Sequence, residues 1–260
     1  MSANVQPEPR LREYAPGDEH SLARSVVLHL LPGALGVTFL YLTVGPIESL
    51  GFPPSFAFLL AVVCVIIPCE LGYLLYRGRT RSGRTTLAGV VRYREPMSAR
   101  AYLVLVPALF AWAFLVFLVW SPFQPGVAEA LFSWLPEFVG DPWGLERGIA
   151  YARSAVIVTV VLHVLINGLV GPVVEELYFR GYLLPGIARL GSWAPVLNTI
   201  LFALYHFWTP WQLLARFVGL LPLVYTVFRR RNIYLAMIVH CSLNTVGAIL
   251  MLPRILTAGG

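Results

Sequence analysis

Residues 155–184 read AVIVTVVLHVLINGLVGPVVEELYFRGYLL, an apolar run long enough to cross a bilayer that nonetheless carries Glu175, Glu176 and Arg180. A spanning helix takes about 20 apolar residues, and an ionisable group at the bilayer centre costs roughly 2.5–3.5 kcal/mol by insertion scales. Such groups therefore face a bundle interior or a hydrated cavity. Two later fragments repeat the anomaly, Phe202-Ala203-Leu204-Tyr205-His206 and His240-Cys241-Ser242-Leu243-Asn244. Polar groups at helical spacing in several apolar segments predict an all-α, polytopic transmembrane bundle of about seven to eight helices, with a reaction site inside it.

Composition supports the membrane reading. The 260 residues are 58% hydrophobic and 12% charged, with a mean hydropathy of +0.73, against about 25% charged residues in soluble domains. Its prolines and glycines fit transmembrane helices, where neighbours re-satisfy freed backbone groups. The net charge of +6 rests on arginine, with no lysine; we read that bias as genomic base composition and a bacterial source. The arginines sit in short loops, which marks a cytoplasmic side and argues against nucleic-acid binding. Cys64, Cys69 and Cys241 show no metal or disulfide spacing and read as small buried hydrophobes. Residues 1–23 form a polar tail with Pro7, Pro9 and Pro16 and no small-residue cleavage site, expected to be retained and cytoplasmic.

Spanning stretches are expected near residues 24–44, 55–76, 101–120, 152–184, 194–209, 211–228 and 232–252. The loop from Arg77 to Arg100 also carries Arg79, Arg81, Arg84, Arg92 and Arg94, whereas Ser121 to Gly148 holds Glu129, Glu137, Asp141 and Glu146 against Arg147. The first loop is thus cytoplasmic and the second outside, in the cytoplasmic membrane of a bacterium. Counting onward puts Arg229-Arg230-Arg231 inside and the C terminus outside. Pro122, Pro125, Pro136 and Pro142 mark the outer segment as a loop, with Trp134 and Trp143 at the interface. Residues 24–149 form an N-terminal membrane region, 150–252 the catalytic core and 253–260 a short tail.

The three fragments meet at one depth. At 1.5 Å per residue, Glu175 lies ~15 Å from the cytoplasmic end near Pro185, His206 ~20 Å from Ser192, and His240 and Asn244 ~13 and ~19 Å beyond Arg231. Adjacent helical residues diverge by about 100°, so Glu175 and Glu176 are expected to differ in role. Arg180, four residues after Glu176, neutralises Glu176 and leaves Glu175 for chemistry. A desolvated carboxylate suits a general base acting on water. His206 either shares that water or binds a metal. His240 and Asn244 offer donors to an oxyanion, or His240 joins Glu175 and His206 in a two-histidine, one-carboxylate zinc site; the spacing leaves both open.

Other polar residues have plainer readings. His29 and His163 are each expected to hydrogen-bond a backbone carbonyl, with Asn167 one turn from His163. Glu70 is expected to reach the interface near Arg77 and Arg79. Arg216 offers a counter-charge to a site carboxylate, and the Phe202, Phe179 and Tyr178 rings are expected to pack. No His-Glu-x-x-His, Gly-x-Ser-x-Gly or phosphate-cradling loop is present.

The ordered motifs Glu175-Glu176-x-x-x-Arg180, Phe202-x-x-x-His206 and His240-x-x-x-Asn244 resemble those of the CAAX-processing and bacteriocin-processing (CPBP, or Abi) intramembrane proteases, which include the type II CAAX prenyl endopeptidases. The resemblance covers residues 150–252. It implies that Glu175 and His206 activate water, that His240 and Asn244 stabilise the oxyanion, and that Glu176 and Arg180 shape the site. Members are described as metalloproteases, although a metal-free glutamate mechanism is also argued, so zinc at Glu175, His206 and His240 stays open. The expected partner is a membrane-embedded or lipidated peptide or protein in the bilayer. The alternatives are a non-catalytic immunity or binding protein that retained the motifs, and a small transporter, for which no paired helix breaks are seen.

Overall fold

The structure, a computed structural model, describes residues 19–145 and 148–258. Most of the expected N-terminal tail, together with Glu146 and Arg147, lies outside the described residues. Among those residues the fold is entirely helical, with one isolated bridge, Arg94 to Asn232, in place of any sheet. Six helices are long and apolar enough to cross a membrane. They are α1 (Leu22–Ser49), α2 (Pro54–Ser82), α3 (Ala99–Phe132), α4 (Arg153–Gly186), α6 (Pro210–Arg230) and α7 (Ile233–Ala258), with the shorter apolar α5 (Trp193–Tyr205) between α4 and α6. The chain is a multi-pass membrane protein.

Local chemistry sets these boundaries. Ser21 and Ser98 cap α1 and α3, each side chain accepting a backbone N–H three residues on. Pro54 occupies the first position of α2, where its missing N–H costs nothing, and Gly83 ends that helix in the left-handed conformation that its lack of a Cβ permits. Beyond Trp120, α3 does not stop at the prolines: Pro122 and Pro125 fall within a 3₁₀ turn, Ser121–Phe123, and the first turn of a continuing helix, Gln124–Phe132. The expected outer loop is therefore partly helical, because proline is tolerated at helix starts. α3 is also the most lipid-facing helix, with 11% of its apolar window buried against 44% for α6.

α4 is one helix with two π-helical stretches, His163–Val170 and Glu176–Leu183. Such widened turns recur at functional sites. Helix α5 is about 20 Å long at 1.5 Å per residue, and it ends at Tyr205. His206 thus sits in the turn to α6 (φ −80°, ψ 59°) rather than on a helix as expected, with Pro210 restarting the chain four residues later.

The arginine-rich loop packs against the expected cytoplasmic end of the bundle. Val90, Val91 and Tyr93 are buried, the Arg92 N–H donates to the Gly181 carbonyl at 2.7 Å, and the Ile233 N–H donates to that of Tyr93 at 2.8 Å. On the opposite side of the site, α1 crosses α5 at Gly33. A Cβ there would collide with the Tyr205 carbonyl. Close helix approach through small residues is a common packing device in membranes. Gly33→Ala is accordingly expected to cost about 1–3 kcal/mol through overpacking and to displace Tyr205. Thermal unfolding in detergent, with Gly45→Ala as control because its Cβ would meet nothing within 4 Å, checks this.

Candidate active site

Helices α4, α5 and α7 bring the three motifs together. His240 of α7 is placed between the adjacent glutamates of α4: Nδ1 lies 2.9 Å from Glu176 Oε1 and Nε2 lies 3.7 Å from Glu175 Oε2. The near contact is to a carboxylate, so Nδ1–H donates. Glu175 and Glu176 were expected to face apart. Instead one imidazole spans the angular gap between them, since a ring entering from a neighbouring helix can touch both carboxylates at once.

Glu176 also lies 3.4 Å from Arg180 Nη1, and both side chains are 1% exposed. The expected pair is present. The Arg180 guanidinium lies over the Phe202 ring, 3.8 Å from its centroid, a cation–π contact that compensates part of its burial. Phe202 therefore does more than pack. Glu175 is more open, with 12% of its side chain exposed, and is not unpartnered: Tyr205 Oη–H donates to its Oε1 at 3.2 Å.

His206 Nδ1 donates to the Phe202 carbonyl at 2.8 Å. The lone pair of the neutral ring then falls on Nε2, which has no protein partner among the described residues. The rings of His206 and His240 both border Phe202, at centroid distances of 4.8 and 6.0 Å, and His206 lies 4.9 Å from Tyr205. Asn244 Nδ2 donates to the Asn167 carbonyl at 2.8 Å, across from the first π stretch of α4. That bond uses one of its two N–H groups.

Two expectations about charged residues are corrected, and one residue joins the site. Glu70 is fully buried rather than reaching the interface, and among the described residues neither carboxyl oxygen meets a donor with good hydrogen-bond geometry. The packing of α2 against α4 holds it in the interior, within the fields of Glu175 and Arg180. Arg216 forms no ion pair with a site carboxylate; its donors go to Thr209 and Gln212. Tyr205 is a site residue that the spacing of the motifs did not single out. Glu70 carried a usable signal, a lone carboxylate deep in an apolar run, whereas Tyr205 reads like any interior aromatic. Of the two histidines expected to bond a backbone carbonyl, His29 does and His163 meets a side chain instead. His29 donates to the Ser25 carbonyl at 2.7 Å and accepts from Asn198 at 3.0 Å, and His163 lies 3.1 Å from Asn167 Nδ2.

Among the described residues, no group of three His, Cys, Asp or Glu side chains is arranged to hold a metal ion. Glu175, His206 and His240 are not gathered as a ligand set in this arrangement, while Glu176 on His240 Nδ1 and the Phe202 carbonyl on His206 Nδ1 fix the orientation of the two rings.

Residues 157–246 match the family model of type II CAAX prenyl endopeptidase, Rce1-like. The matched segment covers about a third of the chain and contains all three motifs, so this part of the chain is similar to proteases of the CAAX type. No curated protein and no solved structure was found to match the chain.

Proposed function

We propose that the protein is an intramembrane endopeptidase that hydrolyses a peptide bond of a membrane-associated substrate, with a lipidated, CAAX-type C terminus as the favoured class. The observation that carries this reading is His240 held between Glu175 and Glu176, with the Tyr205 hydroxyl on Glu175. In this reading Glu175 takes a proton from water as the oxygen attacks the scissile carbonyl carbon. His206 Nε2 accepts the second hydrogen of that water and fixes its direction. With His240 as an imidazolium, Nδ1–H stays on Glu176 and Nε2–H, together with the remaining Asn244 N–H, donates to the oxyanion of the tetrahedral intermediate, donors typically worth about 10²–10³ in rate each. The proton on Glu175 then passes to the leaving nitrogen as the C–N bond breaks. Glu176 and Arg180 hold His240 in place. The arginine-rich loops lie on the cytoplasmic side, with the N terminus.

The test is cleavage of a fluorogenic farnesylated C-terminal peptide, and of its unlipidated counterpart, by the purified full chain in detergent. His206→Ala is expected to lower turnover about 10²-fold or more while the fold persists. Loss with a chelator and rescue by zinc would bring a metal into the reaction; insensitivity would leave Glu175 as the base. Absence of turnover on both peptides by well-folded wild-type protein would turn the reading toward a non-catalytic binding protein.

A further inference from the structure

Arg216 is 8% exposed, on the first turns of α6. Buried charges are ordinarily paired, yet its hydrogen bonds all go to uncharged acceptors: Nη1 to the Thr209 carbonyl at 3.0 Å, and Nη2 to Thr209 Oγ1 and to Gln212 Oε1, the latter at 2.9 Å. Among the described residues it takes part in no ion pair, while the other buried guanidinium of the site, Arg180, has Glu176. A guanidinium carries five N–H donors, so donors and the whole charge are left over. Nε makes no hydrogen bond and is not among the sealed polar atoms, so it opens onto accessible space.

Its position ties this charge to the reaction centre. Thr209, which Arg216 grips, closes the turn that starts at His206, its N–H donating to the His206 carbonyl at 3.0 Å. The unmatched charge of Arg216 is thereby fixed against the turn that carries His206. With Nη2 fully engaged, the rigidly held guanidinium offers a carboxylate its Nε–H as a single charge-assisted hydrogen bond, together with its unmatched charge. Resting on the protease reading above, we propose that Arg216 receives the free α-carboxylate of the substrate's last residue. The group recognised is the terminal carboxylate, and Arg216 is the residue assigned to it.

The experiment compares two peptides, free acid and carboxamide, made both cleavable and with a reduced CH₂–NH linkage at the scissile position. Binding of the reduced peptides to the detergent-solubilised full chain is measured beside turnover of the cleavable ones. Wild-type protein is expected to bind the acid at least about tenfold more tightly than the amide, as for hydrogen bonds to a charged group. In Arg216→Gln the acid-to-amide ratio falls to within about twofold, and in Arg216→Lys, which keeps the charge without the fixed Nε–H, it is intermediate. Equal binding of acid and amide by wild-type protein would overturn the proposal, as would an acid preference that survives in Arg216→Gln. An amide ending in glutamate that binds as tightly as the acid would overturn the α-carboxylate assignment in favour of a side-chain carboxylate. An acid preference that depends on Arg216, without turnover of either peptide, would uphold the receptor and sink the protease reading.

Discussion

Glu175→Gln is expected to lower turnover of a cleavable C-terminal peptide by about 10²–10⁴, the range that a general base contributes, without loss of the folded state. Glutamine keeps the size of the side chain and an acceptor for the Tyr205 hydroxyl, which donates to Glu175 Oε1 at 3.2 Å. It cannot take a proton from water. Tyr205→Phe removes only the hydrogen bond and is expected to cost about tenfold, as for one bond to a charged group. Steady-state kinetics on the purified variants, with thermal unfolding alongside, separate the two. A Glu175→Gln protein that keeps more than about a tenth of wild-type turnover would show that the base lies elsewhere.

The second large effect falls on stability. Glu176 and Arg180 are each 1% exposed and 3.4 Å apart, and removing one member of a buried pair strands the other, at a cost of about 3–5 kcal/mol. Arg180→Met is therefore expected to unfold far more readily in detergent, since it also vacates the face of the Phe202 ring. Glu176→Gln combined with Arg180→Met removes the stranded charge and should recover much of that loss. Activity should not recover with it, because His240 Nδ1 would no longer be held by a carboxylate at 2.9 Å. An Arg180→Met protein within about 1 kcal/mol of wild type would mean that the pair is not sealed from water.

These two outcomes bear on how the adjacent glutamates divide their work. Spacing along one helix correctly joined Glu176 to Arg180, because that pair is local, four residues apart on one face. It could not show that both glutamates meet His240. That contact depends on where α7 packs and how deeply its imidazole reaches toward α4. The π stretch Glu176–Leu183 is likewise invisible to a reading that assumes 3.6 residues per turn. Glu70 was misplaced for a related reason: its distance along α2 from Arg77 and Arg79 can be counted, but the packing of α2 against α4, which turns it inward, cannot.

The sequence by itself determined the membrane class, the seven apolar segments and the identity of the polar groups within them. Long apolar runs have few alternatives in a bilayer, and charged residues inside them stand out against a large insertion cost. Only the tertiary structure decided which donors meet which acceptors: His240 between two carboxylates, Tyr205 on Glu175, His206 in a turn rather than on α5, and Arg216 bonded to Thr209 and Gln212 with its charge unmatched. Each of these joins or re-aims residues through packing between helices and the turns that connect them. Such contacts follow from the fit of whole helix faces, which no spacing within a single segment records.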